Sequence, residues 1–275
     1  MDYNEAINNQ YGQINLGSKI LAALQGEGKD WIKDIQESLR RIEELHSRGR
    51  KATVELAHKA GLGKNMRVLD VGSGIGGPAR TLAFEFGTHV TGLDLCQEYC
   101  QAAKSINQRL DLSDKIEIHQ GNALEMPFDD NSFDFVMIQH VLMNIENKER
   151  LFSQVHRVLR PKGLMAIYTI CAGDVTEIYF PVVWANDSSI NFLLTPQELL
   201  QLIKDSGFKV LSWKDDTSKI IEGFQRRKPK KPSNTPRYVN FELVIPNIAE
   251  KSRNIIRNFK EGRIVVFQGI FELNS

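Results

Sequence analysis

The stretch RVLDVGSGIGGPARTLAFEF, residues 67–86, passes from an apolar strand-type segment through a glycine-rich turn into a helix-type segment. No other feature of the chain limits its fold as strongly. Gly72, Gly74 and Gly77 let the backbone turn within a few residues, and Pro78 stands where the first turn of a helix tolerates it. Such a turn brings a helix N-terminus, with its unpaired N–H groups, to the carboxyl end of a strand.

The alternation continues beyond this unit. Strands are expected at 66–72, 88–94, 115–123, 132–140, 163–173, 208–215 and 263–273. Helices are expected at 76–87, 97–110, 147–160 and 195–207. The third of these carries Leu151, Val155, Val158 and Leu159 inward, and Pro161 and Gly163 stop it. Repeated β-α units predict an α/β fold: a Rossmann-like, doubly wound, seven-stranded and mostly parallel sheet. RIVVFQGIFEL, the last strand, alternates apolar and polar residues as an antiparallel strand near an edge would. Residues 1–62 read as a helical N-terminal extension or lid, with Trp31, Ile35, Leu39, Ile42 and Leu45 forming an apolar stripe. Residues 63–275 form the main domain, with 174–194 and 216–262 as lid or insertion segments.

Composition narrows the classes. The 275 residues can bury a full core, and 41% hydrophobic with 25% charged residues is ordinary for a soluble globular chain. A formal net charge of +1 exerts no global pull on nucleic acid or anionic membrane. No apolar run approaches the ~18 residues of a spanning helix, and MDYNEAINNQYGQ is too polar for a secretory signal. With three cysteines and no secretory signal, a reducing cytoplasmic setting is the expectation. Cys96 and Cys100 stand one helical turn apart, but no further Cys/His cluster accompanies them, so no metal is expected. The basic run Arg226, Arg227, Lys228, Lys230 and Lys231 is interrupted by proline and lacks interleaved aromatics. It reads as an exposed loop rather than a nucleic-acid surface. A homodimer is compatible with the sequence, which does not set the oligomeric state.

The glycine turn admits two ligands. In a nicotinamide oxidoreductase it would cradle a pyrophosphate, and Asp94 stands where a ribose-binding acid belongs. Asp70, two residues before the first glycine, suits a ligand carrying an ammonium and a sulfonium better than a doubly negative one. Four segments then decide the resemblance: VLDVGSGIGGPA, VTGLDL, GNALEMPFDDNSFDFV and RVLRPKGLMAI. In this order they closely resemble the motifs of class I S-adenosylmethionine-dependent methyltransferases, over roughly residues 60–215. The resemblance implies that Asp70, Gly72, Ser73 and Gly74 line the methionine end of the cofactor, whose spent form is S-adenosylhomocysteine. Asp94 would hold the ribose hydroxyls, with Leu95 against the adenine. Asn122, where family members commonly have Asp, and Ala123 would meet the adenine amino edge. Gln139 would offer its backbone carbonyl to the ligand ammonium, and Tyr11 would lie over the cofactor.

Methyl transfer from a sulfonium is a direct displacement, for which an enzyme supplies alignment, desolvation and, where needed, proton removal. His140, at the end of the fourth strand, is the candidate base, with Asn144 one turn on. ELHSRGRKATVELA brings His46, Arg48 and Arg50 before a helix, with arginine suited to a carboxylate or phosphate. The face of Trp184 suits a sulfonium or quaternary amine. Together, the LHSRGRKAT and QHVLMNI segments resemble the bacterial sarcosine and dimethylglycine N-methyltransferases. That implies a small amine or amino-acid-like acceptor, although HSRGR is more positive than that group's form. A hydrophobic acceptor methylated on oxygen or carbon (a quinone, sterol or polyketide) is the first alternative. A nicotinamide oxidoreductase and a non-catalytic cofactor-binding protein are the others.

Overall fold

A computed structural model of the chain describes residues 3–27, 31–226 and 239–274, with the side chains of 31–34 and 226 also outside the description. Ahead of the sheet come α1 (Tyr3–Tyr11), α2 (Leu16–Gly26), α3 (Trp31–Leu39) and α4 (Arg50–Lys59). The alternating part runs β1 (Arg67–Val71), α5 (Gly77–Phe86), β2 (His89–Asp94), α6 (Gln97–Arg109), β3 (Ile116–Gln120) and β4 (Phe133–Gln139). It continues through α7 (Lys148–Val158), β5 (Leu159–Ala172), α8 (Pro196–Asp205) and β6 (Phe208–Asp215). The chain closes with α9 (Thr217–Arg226), α10 (Ile248–Lys260) and β7 (Ile264–Leu273).

The sheet has seven strands in the order β3-β2-β1-β4-β5-β7-β6. Strands β1 to β5 pair in parallel, and β7 runs antiparallel to both β5 and β6. From β1 the chain first winds toward β3 and then, from β4, toward the opposite edge. A crevice therefore opens at the carboxyl ends of β1 and β4, where an open α/β sheet places a ligand.

Each sheet face buries one phase of the strands. Val68, Phe135, Met137, Tyr168 and Val266 face α4 and α5, while Leu69, Val71, Val136, Ile138 and Ile167 pack on Phe152, Phe208 and Phe271. A third cluster joins Leu16, Ile20, Ile35, Leu39 and Ile42 to Ile75, Tyr99 and Ile106. This buries the apolar stripe expected from the sequence, Trp31 lying outside the described side chains. In this cluster α2 meets α6 closely: a Cβ on Gly17 would stand 3.0 Å from Ala102 Cα.

Three expectations change in detail. Helix α7 ends at Val158 rather than residue 160, because Leu159 turns into the sheet to pair with Phe133 and is fully buried there. Strand β3 ends at Gln120, so Asn122 stands in a loop. Residues 216–262 are not a bare insertion loop: α9 and α10 occupy much of the span. Arg227, Lys228, Lys230 and Lys231 of the basic run lie outside the described residues. Residues 174–194 form an irregular connection broken by a short 3-10 turn at Ser188–Ile190. No helix among the described residues is long and apolar enough to cross a membrane.

Gly77 opens α5 directly beneath the segment that leads to α4. A Cβ there would lie 2.0 Å from the Glu43 carbonyl oxygen, and that neighbour is backbone. Gly77→Ala is expected to destabilise the chain by about 1–3 kcal/mol. It should also expose residues 40–48 to limited proteolysis, and an unchanged urea midpoint and cleavage pattern would refute this contact.

Candidate active site

A cavity of about 560 Å³ opens at the crevice, and its walls come from the glycine turn, the ends of β2 and β4, the 43–49 segment, α1, α9 and α10. The turn is fixed before any ligand arrives. Gly72 N–H donates to Leu93 O at 2.7 Å, which ties the end of β1 to the end of β2. Gly72 and Gly74 have φ of 70° and 54°, and a Cβ on Gly72 would stand 2.2 Å from Val141 Cγ2. Gly74 N–H donates to Asp94 Oδ2 at 2.7 Å, and Cys96 N–H to Asp94 Oδ1 at 2.9 Å. Burial pushes the Asp94 carboxyl up, against the pull of backbone N–H donors from Cys96, Gly74 and Leu95. The carboxylate is thus aimed into the cavity by main-chain groups alone.

Asp70 corrects an expectation. It does not face the cavity, but is 1% exposed and lies behind the turn, where it accepts from Ala79 N–H near the start of α5. Strand alternation puts it with Val68 on the α5 face. Burial, and then the charges of Glu44 and Asp94, drive its carboxyl well above the usual range. Ser73, Leu95, Asn122 and Ala123 do line the cavity. Asn122 Oδ1 accepts Leu124 N–H at 2.9 Å in an Asx turn, and its amide nitrogen lies 3.4 Å from Asn4 Oδ1 on α1.

Helix α1 is held over this end at several points, with Asn144 at their centre and Gln10 Nε2 donating to Val183 O at 3.2 Å. Asn144 is buried; its Oδ1 accepts the Tyr11 hydroxyl at 2.8 Å, and its Nδ2 donates to Trp184 O and Ile190 O, both at 2.9 Å. Tyr3 donates its hydroxyl to Asn144 O at 2.7 Å. Asn144 lines the cavity, yet its polar atoms are engaged in holding α1 to the 174–194 connection. Tyr11 packs against Tyr99, with ring centroids 5.8 Å apart, and Trp184 donates its indole N–H to Asn191 Oδ1 at 2.7 Å. What Tyr11 and Trp184 turn toward the cavity is therefore ring surface.

At the opposite end three rings gather. His46 and His140 are 5.9 Å apart, His140 and Tyr168 5.2 Å, and His46 and Tyr168 6.1 Å, all between centroids. His140 sits immediately after β4 with φ of 53°, uncommon for a residue bearing a Cβ. Its Nε2 is buried without a hydrogen-bond partner, and burial, reinforced by His46, holds the ring well below the ordinary imidazole range. His140 is therefore neutral near pH 7.

His46 Nε2 donates to Glu44 Oε2 at 2.7 Å. Glu44 also accepts Thr53 Oγ1–H at 2.7 Å and Thr81 Oγ1–H at 2.6 Å. Burial pushes its carboxyl up, but these three donors and the His46 ring prevail and hold it below the ordinary 4.5. Gln139 lines the cavity, with its side-chain Oε1 3.1 Å from Thr53 Oγ1.

The arginine that reaches the cavity is Arg48, not Arg50. Arg50 pairs with Glu85 away from the cavity, whereas Arg48 donates to Glu55 Oε2 at 2.6 Å and Asp216 Oδ2 at 2.8 Å. Lys219 on α9 joins the group through Asp216 Oδ1 at 2.6 Å. Sequence reasoning missed Asp216, Lys219, Glu44 and the apolar wall from α9 and α10. The helical spacing of Ile220, Ile221 and Phe224, and of Ile248, Ile255 and Ile256, was the available signal.

Residues 69–167 match the family described as "Methyltransferase domain". It is 39% identical over 122 residues to the sterol 24-C-methyltransferase ERG6B of Gibberella zeae, covering 44% of this chain and 32% of that protein. Over 132 residues it is 33% identical to the glycine/sarcosine/dimethylglycine N-methyltransferase of Actinopolyspora halophila, covering 48% of this chain and 23% of that protein. The chain thus spans less than a third of the length of the former and less than a quarter of the latter in these matches. In fold it is similar to geranyl diphosphate C-methyltransferase from Streptomyces coelicolor A3(2), solved with S-adenosyl-L-homocysteine. The TM-score is 0.70 over 99% of this chain and 98% of that one, at 15% identity.

The Glu44 cluster makes a testable demand. Glu44→Gln is expected to destabilise the chain by about 2–3 kcal/mol at neutral pH, since it removes a buried carboxylate that three hydrogen-bonding groups share. A carboxyl held below its ordinary pKa contributes stability that is present above pH 4.5 and lost as pH falls through the lower folded value. The wild-type urea midpoint should therefore drop more steeply below pH 4.5 than that of Glu44→Gln, and parallel curves would contradict the pairing.

Proposed function

We propose that this chain is an S-adenosylmethionine-dependent methyltransferase acting on a small molecule held in the 560 Å³ cavity. The observation that carries the reading is Asp94, a carboxylate set by two backbone N–H groups at the carboxyl end of β2, beside a turn whose glycines leave room for a ligand. The residues fit the cofactor. Asp94 accepts from two vicinal ribose hydroxyls, Leu95 and Ala123 offer apolar surface to an adenine, and Asn122 retains acceptor capacity for its amino group. Gly72, Ser73 and Gly74 admit the amino-acid portion, and Tyr11 covers it from α1. Bound there, the cofactor supplies a methyl group already activated on sulfur.

The remaining steps belong to the protein. The cavity buries the acceptor away from water, and its walls fix the approach to the methyl carbon. His140, neutral and with an unpartnered ring nitrogen, takes the proton that an acidic acceptor group gives up. His46 is committed to Glu44 and positions the neighbouring ring rather than exchanging protons itself. A nicotinamide ligand is disfavoured because the Asp94 and Glu44 carboxyls both line the cavity beside the turn, where a pyrophosphate would sit.

Calorimetry should find binding of S-adenosylhomocysteine and none of NADH; the reverse result would end this reading. Asp94→Ala should weaken S-adenosylhomocysteine binding by roughly two orders of magnitude, because two charge-assisted hydrogen bonds are lost. For His140, asparagine is the informative replacement, since it tolerates positive φ but takes no proton. His140→Asn should lower turnover about 100-fold while leaving S-adenosylhomocysteine affinity within about twofold. Full activity in that variant would remove His140 from the reaction.

A further inference from the structure

The charged side chains around the acceptor end of the cavity are already matched. Arg48 is bound by Glu55 and by Asp216, and Lys219 by the other oxygen of Asp216; the exposed Lys51, outside the cavity lining, stands 4.0 Å from the second Glu55 oxygen. His46 is paired with Glu44, Arg41 with Glu27, and Glu43 with Arg80. Arg40, which also borders the cavity, is exposed and keeps its charge in water. Among the described lining residues, this leaves no carboxylate to receive a substrate ammonium at the acceptor end. Apart from the exposed Arg40, the described lining residues likewise hold no unpaired cation for a substrate carboxylate or phosphate. A charged acceptor entering this space would give up its hydration without gaining a partner, which is strongly unfavourable.

The rest of that end is apolar. Ile220 and Phe224 on α9 face the cavity together with Ile245 and with Ile248, Ile255 and Ile256 of α10. A wall of this kind has no use for sarcosine or dimethylglycine, whose non-reacting parts are a charge and a few methyl groups. It suits a molecule that buries hydrocarbon. Among the described lining residues, His140 Nε2 is unpartnered, as are Gln139 Nε2 beside it and Ser73 Oγ in the glycine turn; of the three, the His140 ring is the group able to take up a proton.

We propose that the acceptor is an uncharged molecule with an apolar body, methylated on a neutral hydroxyl oxygen of the phenol or enol type that hydrogen-bonds to His140. The inference rests on the methyl-transfer reading and sharpens it. In the reaction the oxygen–carbon bond forms as the sulfur–carbon bond breaks, and the electron pair of the broken bond stays on sulfur. The hydroxyl proton passes to the His140 ring and then to water. The positive charge that leaves sulfur reappears on the imidazole, so the charge enclosed by the cavity is the same before and after transfer. A balanced wall is suited to that exchange, because no new charge has to be accommodated.

The test uses the full chain loaded with S-adenosylhomocysteine and three probes sharing one body: para-butylphenol, para-butylbenzoate and para-butylbenzylamine, with sarcosine alongside. Calorimetry should show para-butylphenol binding at least about tenfold more tightly than either charged probe, and sarcosine not binding. Equal or tighter binding of a charged probe or of sarcosine would overturn the proposal, as would failure of all the probes to bind. Ile255→Asp, which sets a charge in the apolar wall, should weaken para-butylphenol at least about tenfold with S-adenosylhomocysteine affinity retained; unchanged phenol binding would place the acceptor elsewhere. If the unloaded chain fails to bind S-adenosylhomocysteine, the methyl-transfer reading itself has failed, an outcome separate from the ranking of the probes.

Discussion

Two adjacent acids, Glu43 and Glu44, are buried at 6% and 3% exposure where the N-terminal segment crosses the start of α5. Without partners, either would be very costly to fold around. Glu43 Oε2 accepts Arg80 Nε at 2.9 Å, and the same guanidinium reaches Asn107 Oδ1 and Ile75 O at 2.9 and 2.8 Å. One side chain thereby ties the extension, the glycine turn and α6 together. Glu44 does the corresponding work toward the cavity, through Thr81 on α5, Thr53 on α4 and the ring of His46. The two carboxyls are moved in opposite directions: burial raises Glu43 despite Arg80, while its three donors lower Glu44. The dipeptide fixes how the first sixty residues sit on the sheet, and through His46 it sets what stands next to His140. The need for glycine at 77 follows from the same crossing, since the backbone of residue 43 occupies the space of a Cβ.

Near the acceptor end, the same rule of paired burial acts on Arg48, Glu55, Asp216 and Lys219. Asp216 is completely buried and its carboxyl is held below the usual range: burial opposes this, but Lys219, Gln268 and Arg48 outweigh it. This group bridges α4 and α9, elements far apart in sequence, and closes the cavity on the side away from the glycine turn. A pair that is matched in this way contributes position rather than attraction for a ligand, and its removal on one side only would leave a buried charge behind.

Much of the sheet was legible because strand patterning is local: β1, β2, β4, β6 and β7 each fall within a residue or two of their expected limits. The cofactor half of the site was legible for the same reason, since Gly72, Gly74, Asp94 and Asn122 sit at strand ends in fixed order. Local pattern does not reach further. Arg48 and Arg50 are two residues apart, and which of them enters the cavity depends on Arg48 and Gly49 both taking positive φ just before α4. Asp70 was expected to face the ligand because it stands two residues before the first glycine, but its phase on the strand turns it toward α5. The burial of Glu43 and Glu44 depends on donors at Arg80, Thr81 and Thr53, and no spacing rule connects these positions. The helices α9 and α10 were obscured by the polar and proline-rich run between them, although each carries its own apolar spacing.

The division between the two halves also bears on what similarity can convey. The family match covers residues 69–167, which include the glycine turn, Asp94, Asn122 and His140. Helices α1, α9 and α10 and the 40–49 segment, which wall the rest of the cavity, lie outside that stretch. Proteins named for a sterol and for glycine derivatives are 39% and 33% identical to this chain over 122 and 132 residues. Those lengths are enough for the cofactor half and little more. Similarity over the matched stretch does not extend to the elements that wall the rest of the cavity. Arg48, Ile220, Phe224 and Ile255 line the cavity from outside the matched stretch, so the similarity says nothing of what they contact.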